Sequence, residues 1–90
     1  MTKNERTIEK NMCNPEDIEG VVVEITDSLG ETKEEDWTEE SIKDTGIREM
    51  DRDKLLESLQ SMVEYYSKKN KWSKVFINGE KVARGQPEQV

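Results

Sequence analysis

Apolar residues are spread unevenly along this chain of 90 residues, and their spacing changes twice. The first seventeen residues hold only Met1, Ile8, Met12 and Cys13 as sizeable apolar groups. They follow neither a period of 2 nor one of 3.6, which predicts a mobile N-terminal arm over 1–17. Ile18 to Thr26 contains Val21-Val22-Val23-Glu24-Ile25, a β-branched run closed by the turn-forming Asp27-Ser28-Leu29-Gly30, and reads as the first strand. From Glu31 to Asp44 the large apolar side chains are Trp37 and Ile42. Thr32 and Glu35 have the spacing of a capping box there, so a short helix and an extended return strand both fit. Ile47, between polar neighbours, suggests a short strand over 46–50.

A helix is predicted over residues 52–69, where Leu55, Leu56, Leu59, Met62, Val63 and Tyr66 recur on one helical face. Asp51 is placed to cap its first N–H groups, and Met50 and Leu55 have the spacing of a hydrophobic staple. Lys68, Lys69 and Lys71 oppose the negative end of its dipole. The period then shortens. Lys74-Val75-Phe76-Ile77, Asn78-Gly79 and Glu80-Lys81-Val82-Ala83 read as a hairpin, because Asn-Gly accepts the positive φ angles of a two-residue turn. Ideal pairing sets Ile77 opposite Glu80 and Val75 opposite Val82, with Phe76 and Lys81 facing the other way. Residues 86–90 offer little to bury and read as a frayed tail.

These elements predict an α+β fold over 18–85, an antiparallel sheet of three or four strands with one amphipathic helix packed on one face. The predicted core joins Leu55, Leu59, Met62, Val63 and Tyr66 to Val21, Val23, Ile25, Val75, Ile77 and Val82. At roughly 1.5–3 kcal/mol per large side chain, before chain entropy is subtracted, such a core is thin. A homodimer would supplement it, with Phe76, Trp72 or Trp37 at the interface.

Charge then narrows the function. Fourteen Lys and Arg against 21 Asp and Glu give a net charge of −7, which argues against general binding to nucleic acid or to an anionic membrane. The chain has no His and one Cys, Cys13, which excludes Ser–His–Asp and Cys–His triads, Cys/His zinc sites and an intrachain disulfide. No enzyme activity and no cofactor are expected. Paired carboxylates such as Glu34/Glu35 lack the loop that would fix a metal. No run nears the ~20 apolar residues of a membrane span, and Met1-Thr2-Lys3-Asn4-Glu5-Arg6 lacks the apolar stretch of a signal peptide, so a cytoplasmic protein without a membrane partner is expected.

The distribution of charge is more informative than its sum. Residues 16–64 hold 17 acids and 5 bases, whereas residues 65–84 carry Lys68, Lys69, Lys71, Lys74, Lys81 and Arg84 against Glu80. Glu31, Glu34, Glu35, Asp36, Glu39, Glu40 and Asp44, followed by Asp51, Asp53 and Glu57, form the candidate partner-binding set, with Trp37 as an apolar anchor. Such acids can serve only as a solvated surface, or they can imitate the phosphate rows of duplex DNA. The C-terminal stretch Val75 to Val82 resembles the Val-x-Val-Asn-Gly hairpin of S4-type RNA-binding modules, without the Arg-rich helix pair that precedes it there. In size, charge layout and lack of catalytic groups the chain resembles the small acidic bacteriophage proteins of the DNA-mimic type, including a Bacillus phage inhibitor of the nucleoid protein HU. That resemblance implies an inhibitor occupying the DNA-binding surface of a basic host protein in the host cytoplasm, with no direct contact to nucleic acid. Two other classes are compatible with the residues. One is an adaptor or inhibitor of host RNA polymerase or a protease chaperone, acting through an apolar patch at Trp37, Trp72 or Phe76. The other is a small nucleic-acid binder using the six C-terminal bases.

Overall fold

Leu55, Leu59, Val63 and Ser67 recur every four residues and are the buried positions of a helix spanning Arg52–Lys68. The computed structural model describes residues 7–8 and 13–88. In chain order its regular elements are β1 (Thr7–Ile8), β2 (Val21–Thr26), β3 (Thr32–Asp36), α1 (Glu39–Thr45), α2 (Arg52–Lys68), β4 (Trp72–Ile77) and β5 (Glu80–Gly85). Short 3₁₀ turns occur at Pro15–Asp17 and Ile47–Glu49. The strands form one antiparallel sheet in the order β1-β5-β4-β2-β3, and α2 packs across β4 and β5. This is the predicted α+β arrangement, with α1 as a second, shorter helix.

Both ends of α2 are closed by side-chain or backbone bonds. The Asp51 carboxylate accepts from the Lys54 N–H at 2.8 Å, as its N-cap position predicts. At the other end Asn70 adopts φ 63°, its N–H donates to the Ser67 carbonyl, and the Lys71 N–H donates to the Tyr66 carbonyl. This pair of bonds is a Schellman motif, and Asn is one of the few residues other than Gly that enter its left-handed position readily. The core joins Leu55, Leu59 and Val63 to Val21, Val23, Val75, Ile77, Val82 and Ala83, while Ile25, Met62 and Tyr66 pack at its margin. Ile18, Ile42 and Ile47 add a buried cluster that lies outside the predicted core.

Several local expectations need correction. Residues 31–44 are strand and then helix, so Thr32 and Glu35 lie in β3 and form no capping box. Thr38 caps α1 instead, its hydroxyl oxygen accepting from the Ser41 N–H at 3.0 Å. Residues 46–50 hold a 3₁₀ turn rather than a strand, because Gly46 at φ 70° ends α1 and turns the chain so that Ile47 is buried. In the C-terminal hairpin Asn78 and Gly79 take the expected positive φ values of 54° and 84°. Val75 nevertheless pairs with Ala83, not Val82, since Val82 is the extra residue of a β-bulge. The bulge lets Val82 and Ala83 both be buried.

Of the arm predicted over 1–17, residues 1–6 and 9–12 lie outside the described residues. Thr7–Ile8 pairs with β5 at the sheet edge, and Pro15 is buried in its 3₁₀ turn. Of the tail, residues 89–90 lie outside the description, Pro87 is buried, and the Glu88 N–H donates to the Ser67 carbonyl.

Candidate functional site

β3 is an edge strand, and all five of its residues, Thr32-Lys33-Glu34-Glu35-Asp36, are exposed. A strand with no apolar position can exist here because its inner neighbour β2 supplies the register, from Val22 opposite Asp36 to Thr26 opposite Thr32. The turn that leads into it is organised by Asp27, whose carboxylate accepts from the N–H groups of Leu29 and Glu31 at 2.9 and 3.0 Å. Gly30 supplies the positive φ of that turn, and Leu29 at its tip is 90% exposed. Alternation along β3 divides the acids: Glu34 and Asp36 share the sheet face away from α2, while Glu35 faces the helix side and its charge raises the pKa of the Tyr66 phenol after burial has done so. Charges on a free edge also discourage pairing with another strand.

The chain passes from β3 through Trp37 into α1, which carries Glu39, Glu40 and Asp44. Trp37 is half-buried against the core, and its N–H donates to the Val21 carbonyl at 2.9 Å, so it anchors the β3–α1 corner. Glu40 and Asp44 are exposed and four residues apart, hence on one helix face. Glu39 is committed elsewhere, in a fork with the Arg48 guanidinium at 2.6 and 2.9 Å. Arg48 also donates from Nε to the Ile18 carbonyl at 2.7 Å, and so ties α1 to the segment that enters β2. Asp51 is likewise committed as the cap of α2. Asp53 and Glu57 are exposed on α2, a different element whose contacts are with β4 and β5. The structure therefore places Glu34, Glu35 and Asp36 on the exposed edge strand β3, Glu31 in the turn before it and Glu40 and Asp44 on α1 after it, and assigns Glu39 and Asp51 structural bonds.

The Glu39–Arg48 pair yields a pH prediction. The hydrogen bond from Arg48 holds the Glu39 carboxyl below its usual pKa of 4.5 and raises that of Arg48. A carboxylate with a lowered folded-state pKa contributes stability that is present above its unfolded pKa and is lost as pH falls through the folded one. Glu39→Gln therefore destabilises the protein at about pH 6, and the difference from the parent shrinks at about pH 3, as urea unfolding at the two pH values would measure. A difference that does not change with pH would mean that the pair contributes nothing through ionisation.

The described residues contain no group of three or more Cys, Asp or Glu able to hold a metal ion, and no helix long and apolar enough to cross a membrane. Cys13 is half-buried, and burial followed by the nearby Asp17 charge pushes its thiol pKa up, away from thiolate chemistry.

A second surface was only half visible in the sequence. On the sheet face opposite α2, Lys74, Phe76 and Trp72 of β4 stand beside Lys81 and Arg84 of β5 on one side and Val22, Glu24 and Thr26 of β2 on the other. Trp72 is 46% exposed, and the Lys74 ammonium lies 3.9 Å from the Glu24 carboxylate. Sequence alternation placed Phe76 and Lys81 away from the helix, but β2 lies some fifty residues before β4 in the chain, so only the strand order reveals that it stands next to them. Trp37 and Trp72 lie on different parts of the molecule and do not make one patch.

No family model, curated protein or solved structure matches the chain.

Proposed function

We propose that the protein is an acidic DNA mimic, a binding protein without catalytic activity that occupies the DNA-binding surface of a basic bacterial protein of the nucleoid type. The reading rests on β3, where Glu34, Glu35 and Asp36 follow one another in an exposed edge strand. Successive residues of a strand advance roughly 3.3 Å and alternate between its faces, so Glu34 and Asp36 share one face roughly 6.6 Å apart, about two charge spacings of roughly 3.4 Å on one DNA strand, with Glu35 between them on the other face. Glu31 precedes the strand in its turn, and Glu40 and Asp44 follow it on α1 as further exposed acids. The partner's cationic groups would meet these carboxylates in place of phosphates, with binding steered by long-range attraction and weakened by salt. The setting is the cytoplasm of a bacterial host.

The test is capture of partners from nuclease-treated bacterial lysate with the purified protein as bait, followed by washes at rising salt. A basic DNA-binding protein that elutes with salt and is displaced by duplex DNA is the expected result. Glu31→Lys, Glu35→Lys, Glu40→Lys and Asp44→Lys, combined, should weaken that complex by at least about tenfold, since like charges then face the partner. Recovery of a salt-resistant polymerase or protease subunit would overturn the mimic reading in favour of an apolar adaptor.

A further inference from the structure

We propose that the open face of the sheet is the contact surface for a second copy of this chain, in a two-fold dimer whose axis runs along the strands between β2 and β4. The argument rests on the register and is independent of the DNA-mimic reading. Across the face the strands stand in the order β1-β5-β4-β2-β3, with β1 contributing two residues beside β5. One row of opposed residues reads Arg84-Lys74-Glu24-Glu34, and a neighbouring row reads Lys81-Phe76-Val22-Asp36. Each row begins basic and ends acidic. In the second, the middle is apolar and half-buried.

A two-fold axis parallel to the strands keeps each row at its own level and reverses its order, which lays β3 of one copy over β5 of the other and β2 over β4. Arg84 then faces the partner's Glu34, and Lys74 faces the partner's Glu24. Lys81 faces the partner's Asp36. Phe76 faces the partner's Val22, and Val22 faces the partner's Phe76, at the centre, where an aromatic and a β-branched side chain from each copy exclude water. Every charged position in both rows meets its opposite. An axis set across the strands would instead place acid over acid and base over base, so the charge gradient selects the first arrangement. Two sheets pack about 10 Å apart, a gap that long Lys, Arg and Glu side chains from both sides can fill. The charged face spans the four longer strands, with the two-residue β1 at its margin, and is below the extent of a standard interface of ~800 Å² per partner, which makes the dimer reversible and dependent on concentration. Glu34 and Asp36, two of the three β3 acids of the mimic reading, would be covered in it, while Glu35 faces the other side of the sheet and Glu40 and Asp44 are on α1.

Sedimentation velocity between roughly 10 and 500 µM tests the proposal. The parent protein is expected to pass from monomer to dimer over that range, with weaker association at high salt. Lys74→Glu with Arg84→Glu makes the whole first row acidic, and Glu24→Lys with Glu34→Lys makes it basic. Each double variant alone should dimerise more than about tenfold more weakly than the parent, and an equimolar mixture of the two should form a heterodimer within about threefold of the parent's affinity. A parent that stays monomeric at the highest concentration, a double variant that still dimerises like the parent, or a mixture no better than its components would overturn the proposal. Should circular dichroism show either double variant unfolded, Asp36→Lys mixed with Lys81→Glu applies the same test to the second row with one exposed substitution per chain.

Discussion

Asn78→Ala should lower the stability of the domain by about 3–5 kcal/mol, read from urea unfolding. The Asn-Gly pair looks like an ordinary hairpin turn, and its positive φ values are those of one. The Asn78 side chain does more. Its Oδ1 accepts from the N–H groups of Glu19 and Gly20 at 2.7 and 3.0 Å, and its Nδ2 donates to the Asp17 carbonyl at 3.0 Å. The Asn78 N–H donates in turn to the Gly20 carbonyl at 2.9 Å. The turn thus fastens the segment that enters β2, the strand on which β3 and the acidic edge depend. Ala removes the three side-chain bonds to backbone groups, each worth about 0.5–1.5 kcal/mol, together with a weaker one from Nδ2 to the Cys13 Sγ at 3.6 Å, and is also strained by roughly 1 kcal/mol at a left-handed φ. Asn78→Gly separates the two causes, since it relieves the strain and still loses the bonds. Its stability should fall between those of the parent and of Asn78→Ala. Equal stability of Asn78→Gly and the parent would show that the three bonds are replaced by water without cost.

The contrast between what the sequence revealed and what it hid follows from how local each cause is. The helix over Arg52–Lys68 was legible because its apolar face, its Asp51 cap and the bases near its end all lie within the segment itself. The C-terminal hairpin was legible through Asn78-Gly79, but its bulge was not, because burial of both Val82 and Ala83 is decided by α2 across the sheet. β3 carried no apolar alternation at all. Its strand state comes from pairing with β2, a tertiary cause that overrides local preference, as is usual for strands. For the acidic site, the residue types were legible and their employment was not. Glu39 and Asp51 belong to the acid-rich stretch in sequence, yet a guanidinium thirty residues after Ile18 claims the first and a helix N-terminus claims the second. Asn70 at the end of α2 was a signal that could have been used, since Asn two residues past a helical pattern marks a left-handed stop.

Gly85→Val should be the most damaging single substitution in β5, lowering stability by about 3 kcal/mol and the melting temperature by more than about 10 °C. Gly85 sits where α2 packs tightly against the sheet. A Cβ at this position would lie 3.1 Å from the Val63 Cβ and 3.2 Å from the hydroxyl oxygens of both Ser67 and Ser73. The small side chains of Ser67 and Ser73 and the missing one of Gly85 are together what allows the helix its approach, because a packed core has no slack to take up an added methyl group. Both serines are buried, and neither hydroxyl has a hydrogen-bond partner among the described residues. Buried unpaired hydroxyls cost stability, so Ser67→Ala with Ser73→Ala, which removes both polar atoms and opens a little space, should leave the parent no less stable. In that background Gly85→Ala should cost less than it does in the parent, where the new methyl group presses on the two hydroxyls. The coupling between the sites, measured as a double-mutant cycle by urea unfolding, is expected to be at least about 0.5 kcal/mol in the direction of rescue. A cycle with no coupling would mean that strain at Gly85 is taken up by the Val63 contact or by the backbone of β5, and not by the serine pair.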